Sequence, residues 1–427
     1  MVDVKPFRAI RYTELAGKLE NLITQPYDKI DSAMQKEYYE KSAYNYCRLI
    51  LPVEEDKYEA SRKRIQEWVR GGILAKEEEE PAIFVCKQEF NLDGQVCTRT
   101  GLIAALRLYS YEEEKVFPHE ITYDLPKTDR LNMLRSVQKD LEPIFLIYSD
   151  PEKTTIDFFA EISKTQPLME VKDSFNVKHT VWRVAEHSKI KLLQRALEPK
   201  TLVITDGHHR YESAIAYRDE QRGKGGWTAD SAFNFHMSIV VPIQDEGLVV
   251  LPTHRLLKNH GLTDENLDAL KEFFTVTDVE ASVKGLDGFL ESHKDEHAFC
   301  IYEGAKAYGL ILKHEESVYD FVKATSSKET KLFDVVILRD VIFKVVLRTG
   351  ELKMNEDILY ERWTKMAVKR VDEGEAKLAF LVNPICPETV WQIAQQHERM
   401  PEKSTDFYPK PVSGLMMMDI SPEEKLP

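Results

Sequence analysis

The sequence has few cysteines, and none of them are paired in a motif. Five occur in 427 residues, scattered without a C-x-x-C pattern, at Cys47, Cys86, Cys97, Cys300 and Cys386. This scarcity argues against a disulfide framework and a structural zinc site, and it suits a reducing compartment. The sequence also lacks an apolar run near the roughly 20 residues that span a bilayer, and its N-terminus lacks a signal-peptide core. We therefore expect a cytoplasmic protein without a membrane partner.

A surplus of basic residues is absent too. Lysine and arginine total 58 against 72 acidic residues, which gives a net charge of −14. A phosphate backbone needs a net basic face, and the sequence shows neither a helix-turn-helix pattern nor a basic tail, so we expect no nucleic acid partner. A small phosphorylated ligand needs only a few cations, which an acidic protein can still gather locally.

Two nucleotide-binding signatures are missing. The chain contains neither G-x-G-x-x-G nor G-x-x-x-x-G-K-[ST], so a Rossmann domain and a P-loop domain are both without support. A hairpin is predicted from 82–90 and 96–108, and a further strand over Tyr46–Leu51. Predicted strands and helices alternate irregularly, which indicates an α+β (mixed α/β) fold rather than a doubly wound sheet.

Residues 205–211, Thr-Asp-Gly-His-His-Arg-Tyr, form the most informative stretch. An apolar run at 202–204 precedes it and a helix-like segment at 212–222 follows, so a strand is predicted to enter a glycine turn and then a helix N-terminus. Backbone N–H groups, the helix dipole and cationic side chains converge there, which favours an anion. The alternative is a pair of surface or hydrogen-bonded structural histidines. Clustered cations repel one another at a helix N-terminus, however, and a phosphate relieves that repulsion.

The stretch at 206–211 resembles the phosphate-binding signature of the ParB/sulfiredoxin superfamily, in which a similar turn opens a helix. Sulfiredoxins have their catalytic cysteine at the position of His208, so sulfinic-acid repair is excluded, and the free-serine kinases of that superfamily are the nearer match. The resemblance implies phosphate binding by Gly207, His209 and Arg210. It also implies catalytic roles for His208 and for Asp206, which would fix the imidazoles or contact a substrate amine.

Over its whole length the chain is also similar to a bacterial and archaeal family known as domain of unknown function 1015. The resemblance rests on blocks spread along the sequence: Pro6–Ala9, Gln25–Asp28, Asn45–Pro52, Pro118–Glu120 with Asp129-Arg130, Leu251–Arg255, and Lys403–Thr405 with Phe407–Lys410. We expect a ParB/sulfiredoxin-like core elaborated by additional α/β segments. The expected division is an N-terminal α/β region over 1–110, the phosphate-binding core over 111–260 and a C-terminal α/β region over 261–427.

The His119-Glu120 pair is the first of three further candidate clusters. A carboxylate beside a histidine, followed by the cations Lys127, Arg130 and Arg135, fits a base that deprotonates a hydroxyl group near bound phosphate. The kinase resemblance implies the same role for Glu120, because those proteins carry a glutamate upstream of the phosphate motif, although at a shorter interval. His119 is then a phosphate ligand. The alternative is a surface His-Glu pair in a charged loop.

A second cluster lies near the C-terminus. Its amines and hydroxyls can coordinate phosphate, and the candidates are Lys403, Ser404, Thr405 and Lys410. A lone K-S-T sequence is common, but the apolar stretch at 415–418 indicates a tail that docks rather than frays.

The third set comprises candidate substrate contacts. His254 and Arg255 follow a strand end, where they either complete the pocket or cap local structure. Tyr27 and Asp28 lie in a loop, and Asp28 can hold Mg²⁺ or a substrate amine. Phosphoryl transfer usually needs a divalent ion, and its ligands stay open among Asp28, Glu120 and Asp206.

Together these residues predict a phosphotransferase that moves phosphate between a nucleotide (ATP or ADP) or pyrophosphate and a small hydroxylated metabolite, with Mg²⁺ as cofactor. Serine or phosphoserine as that metabolite is implied by the kinase resemblance alone. The alternative is a ParB-like regulatory switch that binds a nucleotide without turning over a small substrate. The direction of transfer and the oligomeric state, a homodimer included, stay open.

Overall fold

The computed structural model describes residues 1–92, 94–120, 124–322, 327–401 and 403–427, which fall into two compact units. The first unit comprises Met1–Pro118, Thr122–Val249 and Pro409–Pro427, and the second comprises His119–Ile121 and Val250–Tyr408. This division differs from the three consecutive regions expected from the sequence, because the C-terminal segment returns to the first unit.

The first unit combines strands and helices in irregular alternation. Its strands are β1 Val4–Lys5, β2 Ile10–Tyr12, β3 Leu74–Lys76, β4 Ile83–Leu92, β5 Gln95–Arg107, β6 Val116–Pro118, β7 Lys139–Asp140, β8 Ile144–Tyr148, β9 Met169–Lys172, β10 Lys178–Val184, β11 Leu202–Asp206 and β12 Phe235–Pro242. Its helices are α1 Ser32–Lys41, α2 Cys47–Ile50, α3 Lys57–Arg70, α4 Asp124–Val137, α5 Thr154–Ile162, α6 His187–Leu197 and α7 His208–Gly223.

A mixed sheet organises this unit. Its strands lie in the order β6-β11-β8-β12-β5-β4-β10-β9, and β1 pairs with β5. β6 runs parallel to β11 and β8 runs parallel to β12, whereas the other neighbours are antiparallel. The central strands β8 and β12 are buried along their whole length. Their sequences are therefore nearly continuous apolar runs rather than alternating apolar and polar residues. The predicted hairpin is confirmed as β4 and β5.

The strand predicted over Tyr46–Leu51 is wrong, because these residues form the short helix α2. The buried side chain of Asn45 explains the error. Its Oδ1 accepts the N–H of Cys47 at 2.9 Å, and its Nδ2 donates to the carbonyl of Asn21 at 2.8 Å. A side chain that bonds the backbone two residues on starts a helical turn, and the apolar pattern alone does not reveal it.

The second unit is built on an antiparallel sheet. Its strands are β13 Val249–Leu251, β14 His254–Leu257, β15 Phe274–Val279, β16 Ala298–Tyr302, β17 Ala307–Leu312, β18 Ile358–Glu361, β19 Leu378–Val382 and β20 Asp406–Tyr408. Its helices are α8 Asp264–Phe273, α9 Val283–Ser292, α10 Lys328–Lys331, α11 Asp334–Ile337, α12 Thr364–Asp372 and α13 Pro387–Gln395. The six-stranded sheet has the order β15-β17-β16-β19-β14-β18.

Helices of the second unit cover its sheet through a shared apolar core. Leu286 and Leu290 of α9 and Ala367 of α12 pack with Leu256 and Leu381 from the strands. The last strand of the chain, β21 Met418–Asp419, belongs to the first unit and pairs with β7. The predicted α+β fold is thus confirmed. None of the helices in the described part of the chain has the length and apolar character needed to cross a membrane.

Candidate functional site

The Asp-Gly-His-His-Arg motif lies where the sequence predicts, at the junction of β11 and α7. β11 ends at Asp206, Gly207 is the N-cap residue, and His208 is the first residue of the helix. The pairing of β11 with β8 shifts register between Ile204 and Asp206, a bulge that changes which way the strand end points. Gly207 has a φ of +91°, a backbone conformation that residues with a Cβ rarely adopt.

Asp206 is the centre of an ion-pair cluster. Its Oδ1 lies 3.0 Å from Lys410 Nζ, and its Oδ2 accepts a hydrogen bond from the Arg210 guanidinium. Burial by itself would raise the pKa of the Asp206 carboxyl, but Lys410, Arg210 and then Lys29 hold it well below its ordinary value. Asp206 is therefore an ionised carboxylate, and its low pKa makes it a weak proton acceptor.

Arg210 is buried rather than directed at solvent, with 7% of its surface exposed. Its guanidinium donates to the carbonyl of Pro143 and to Asp206, and it packs against Gly207, where an added Cβ would lie 3.0 Å from Nε. Gly207 is thus required by Arg210 as well as by its backbone conformation. Burial opposes the charge of Arg210, but Asp206 and then Glu142 raise its pKa. Direct phosphate binding by Arg210 stays a prediction, and in this structure the side chain holds the motif together.

Tyr27 and Asp28 belong to the same cluster. The backbone N–H of Tyr27 donates to Glu142 Oε1 at 3.0 Å, and the Arg130 guanidinium lies 4.0 Å from the centre of the Tyr27 ring. Asp28 is exposed and contributes, with Glu142, to the electrostatic field at Arg210. The sequence therefore correctly brought this loop to the motif, while the predicted substrate contacts stay predictions.

The two histidines occupy the first turn of α7. His208 is buried and His209 is half-buried. The turn is fixed from both sides, since Ser213 Oγ lies 2.7 Å from the carbonyl of His209 and the hydroxyl of Tyr211 donates to the carbonyl of Tyr109 at 2.9 Å. A helix start held this firmly keeps its backbone N–H groups in one geometry, as an anion site requires.

Lys410 reaches the motif because two strand residues clamp its backbone. Gln88 of β4 donates from Nε2 to the carbonyl of Lys410 at 3.3 Å, and Arg99 of β5 donates to the carbonyl of Pro409 and, from Nε, to Gln88 Oε1 at 3.2 Å. Arg99 is fully buried, and burial lowers its pKa to about 10. Sequence reasoning missed both residues, because an arginine and a glutamine in a hairpin are usually solvent-exposed.

The His119-Glu120 pair and the Lys403–Thr405 cluster come together in the second unit. His119 is fully buried, and its Nε2 lies 2.8 Å from Thr405 Oγ1, which in turn lies 3.4 Å from Glu120 Oε1. Glu120 also forms a β-bridge with Met400. The sequence predicted two separate clusters, which the structure brings together, whereas Lys410, predicted as part of the cluster with Lys403, lies in the first unit on Asp206. The roles of Glu120 as base and His119 as phosphate ligand stay predictions.

Arg255 and Ser404 make structural contacts in the second unit. Arg255 donates to the carbonyl of Thr253 and, at 3.0 Å, to the carbonyl of Lys403, and burial lowers its pKa to about 10. Ser404 donates to the carbonyl of Pro401 at 2.6 Å. These bonds shape the loop at 401–405, and phosphate binding by Lys403, Ser404 and Thr405 stays a prediction.

His254, predicted as a substrate contact, lies in the core of the second unit with 1% of its surface exposed. Its Nδ1 accepts the N–H of Val382 at 3.3 Å, and its Nε2 lies 3.3 Å from Thr364 Oγ1. Burial lowers its pKa to about 3, so it is a neutral packing residue. This placement argues against a substrate contact and favours the other reading, that the histidine stabilises local structure.

The described residues offer no cluster of three or more His, Cys, Asp or Glu side chains that could hold a metal ion. Asp206 does not fit a Mg²⁺ ligand in this arrangement, because Lys410 and Arg210 engage its two oxygens. Mg²⁺ is commonly held by one or two carboxylates and by substrate phosphates, so this geometry argues only against Asp206 as the ligand.

The charges at the motif sum to a positive value in an acidic protein. Five cations face four carboxylates, a net of +1 before the histidines and the helix dipole are added; the nine residues are Lys29, Lys57, Arg130, Arg210, Lys410, Asp28, Asp129, Asp206 and Glu142. Each of the buried carboxylates Asp206 and Glu142 is already in contact with a cation. The cluster can therefore accept one more negative group at the start of α7.

The sequence over residues 4–336 matches the family described as protein of unknown function (DUF1015). The chain belongs to this family. The match covers the whole motif region, and the family's description assigns no activity. No curated protein matches the chain.

Several solved structures resemble this DUF1015 member at low identity. A free serine kinase in complex with AMP is 15% identical, with 71% of this chain and 88% of that chain covered and a TM-score of 0.34. A conserved hypothetical protein from Pyrococcus furiosus is 17% identical, with 69% and 90% covered and a TM-score of 0.32. SbnI with a C-terminal truncation, from Staphylococcus aureus, is 10% identical, with 75% and 90% covered and a TM-score of 0.34. Likenesses at these TM-scores do not support an argument, so the ParB/sulfiredoxin-like core stays a prediction.

Proposed function

We propose that the first unit binds a phosphorylated ligand at the N-terminus of α7 and that the protein is a phosphotransferase. The observation that supports this proposal is the cation cluster around Asp206. Lys410, Arg210 and Lys29 all act on one buried carboxylate at the first turn of the helix. The cations of the whole cluster exceed its carboxylates by one, and a phosphate group at the helix start supplies the missing negative charge.

The arrangement suits phosphoryl transfer because that reaction asks mainly for positioning and charge stabilisation. The first-turn N–H groups and the half-buried His209 are placed to hold phosphate oxygens. The ion pair between Asp206 and Arg210 fixes the turn. Lys29 is half-buried, and we propose that its ammonium group reaches the phosphate. Glu120 stays the proposed base on sequence grounds alone.

The proposed donor is ATP, ADP or pyrophosphate, and the proposed acceptor is a small hydroxylated metabolite. Serine enters only through the family resemblance of the motif, so it is one member of a panel. Mg²⁺, if it takes part, would come with the donor phosphates, since Asp206 is already engaged by two cations.

Phosphorus NMR on the purified protein tests the proposal. Samples contain Mg²⁺ and ATP, ADP or pyrophosphate, with and without serine and other small hydroxylated metabolites. A new phosphoester signal that His209→Ala abolishes supports transfer at this motif and names the donor. The matched control is His187→Ala, which alters a histidine at the first residue of α6, another helix of the same unit.

The competing function, a nucleotide-binding switch, gives a different result in the same experiment. Donor signals would then broaden or shift on binding, with no new phosphoester in any sample. Absence of both binding and transfer with every donor would overturn the phosphate assignment of the motif.

A further inference from the structure

Residues of the second unit line a cavity of about 300 Å³, and none of these lining residues belongs to the motif of the first unit. Its volume is at the lower end of the range typical of small-molecule sites. Three neighbouring strands bring residues to it from the same sheet edge. Thr253 precedes β14, His297 precedes β16, and Asn383 follows β19, which runs antiparallel to both.

The wall of the cavity carries a histidine fixed by a carboxylate. His297 Nδ1 lies 2.8 Å from Asp334 Oδ1, and both side chains are mostly buried. An ionised carboxylate only accepts hydrogen bonds, so Nδ1 carries the proton and the ring presents Nε2 to other partners. The hydrogen bond that His297 donates to Asp334 raises the pKa of His297, against the effect of burial. A hydroxyl group is a suitable partner in either protonation state, because it can both donate to and accept from Nε2.

The charges of the lining select among hydroxylated ligands. The carboxylates of Asp295, Glu296 and Asp334 line the cavity together with one ammonium, that of Lys294. Lys294 Nζ lies 3.1 Å from Glu291, outside the lining, so its charge is already balanced. Asp334 is paired with His297, and Lys294 also acts on Asp295, so three carboxylates against one ammonium leave the lining with an excess of negative charge that attracts a cation. An anionic ligand such as a phosphate or a carboxylate is disfavoured here.

We propose that this cavity binds a small amino alcohol, with its hydroxyl group on His297 Nε2 and its ammonium group at Asp295 and Glu296. The apolar residues Phe333, Ile385 and Met400 pack around the carbon chain. The site is independent of the phosphotransferase proposal, since it shares no residue with the cluster at Asp206.

Isothermal titration calorimetry on the full chain tests the proposal with three two-carbon probes, each of which carries a hydroxyl group. Ethanolamine carries an ammonium and a hydroxyl, ethylene glycol is neutral, and glycolate is anionic. Ethanolamine is expected to bind saturably and at least tenfold more tightly than ethylene glycol, and glycolate not to bind. Equal binding of all three, or no saturable binding of ethanolamine, overturns the proposal.

Variants and a chemical probe locate the binding. His297→Gln is expected to weaken ethanolamine binding at least tenfold. The matched control His293→Gln is expected to leave binding unchanged, because His293, the C-cap residue of α9, bonds the carbonyl of Phe289 and does not line the cavity. Cys386 is exposed and lines the cavity, so ethanolamine should also slow its alkylation by N-ethylmaleimide. This protection is measured on the unaltered protein and decides the matter even where His297→Gln fails to fold. Unchanged alkylation, or unchanged affinity in a folded His297→Gln variant, contradicts the site.

Discussion

Lys410 places its ammonium 3.0 Å from Asp206 Oδ1, on a carboxylate whose other oxygen is bound by Arg210. The two residues come from distant parts of the chain: Asp206 ends β11, and Lys410 lies at the start of the C-terminal segment of the first unit. The charge balance of the motif therefore depends on docking of that segment. Without Lys410 the cations and carboxylates of the cluster would be equal in number, and Lys410 makes the net charge positive.

Asp206→Asn should destabilise the protein by about 3–5 kcal/mol, because it leaves two buried cations without their carboxylate. Urea unfolding at neutral pH measures the loss. The control is Asp219→Asn on α7. This change removes an exposed carboxylate that pairs with Arg218, and it should cost no more than about 1 kcal/mol. Equal costs for the two variants would contradict the buried ion-pair cluster.

The same carboxylate predicts a dependence of stability on acid. The pKa of Asp206 is lower in the folded protein than its ordinary value near ~4. Its contribution to stability is therefore fully present above that value and is lost as the pH falls towards the folded pKa. The free energy of unfolding of the wild-type protein should fall between about pH 5 and pH 3 more steeply than that of Asp206→Asn. Parallel curves for the two proteins would show that Asp206 is not charged in the fold.

Gly207→Ala should destabilise the protein by about 1–3 kcal/mol and weaken binding of pyrophosphate. The alanine must adopt a φ of +91°, and its Cβ would lie 3.0 Å from Arg210 Nε, so both the turn and the guanidinium must move. Gly223→Ala is the matched control, because Gly223 ends the same helix without a positive φ and an added Cβ meets nothing within 4 Å. Calorimetric unfolding and pyrophosphate titration of both variants give the comparison, and a neutral Gly207→Ala would refute the packing of Arg210 on this glycine.

Arg99→Met should lower the affinity for pyrophosphate about tenfold or more, although Arg99 does not contact the motif. Its guanidinium and Gln88 hold the carbonyls of Pro409 and Lys410, so its loss frees the segment that presents Lys410. Arg107→Met, on the same strand but paired with Asp3 near the surface, is the control. Because Arg99→Met also loses stability, the discriminating result is the salt dependence of binding. The decrease of pyrophosphate affinity with salt concentration should become shallower in Arg99→Met, and equally so in Lys410→Met. A purely structural role for Arg99 would leave this salt dependence unchanged.

The sequence predicted the strand, turn and helix at 202–223, because glycine and the apolar run are local signals, and the phosphate site there stays a prediction. It also assigned Tyr27 and Asp28 to the same pocket as the motif, but it treated Glu120 and Thr405 as parts of separate clusters. It missed Arg99 and Gln88, since nothing in a hairpin sequence says which polar side chain is buried against a distant carbonyl. Asn45 illustrates the same limit in the fold, because hydrogen bonds of its buried side-chain amide favour helix α2 where the apolar pattern predicts a strand.

Glu120→Gln tests the base that the sequence predicts. If Glu120 accepts the proton of the hydroxyl acceptor, kcat for phosphoester formation should fall about 10²–10⁴-fold while donor affinity stays unchanged. Glu373→Gln, which changes an exposed glutamate of the same unit, serves as the control. A glutamine variant with wild-type kcat would remove Glu120 from the mechanism.

Asp140 and His236 form a buried pair that must share one proton. His236 Nδ1 lies 2.7 Å from the carbonyl of Met237, so that nitrogen carries a hydrogen and Nε2 faces Asp140 Oδ1 at 3.4 Å. Burial raises the pKa of Asp140 and lowers that of His236 to about 3, and both shifts place the proton on the carboxyl group. In the folded protein burial thus favours the proton on the carboxyl group of Asp140, whose Oδ1 faces the imidazole, while Met237 N–H donates to Oδ2 at 2.8 Å.

Asp140→Asn should therefore stabilise the protein progressively as the pH rises. A raised folded pKa contributes stability that is fully present below the ordinary value near ~4 and is lost as the pH climbs towards the folded pKa. Asparagine keeps the hydrogen bond from Met237 N–H and has no proton to lose, so its advantage over the wild type should grow between pH 5 and pH 8, by at most about 1.4 kcal/mol per pH unit. Urea unfolding across that range measures the difference, with Asp219→Asn as the exposed control. A constant difference would mean that Asp140 is ionised in the fold and that the proton resides on His236.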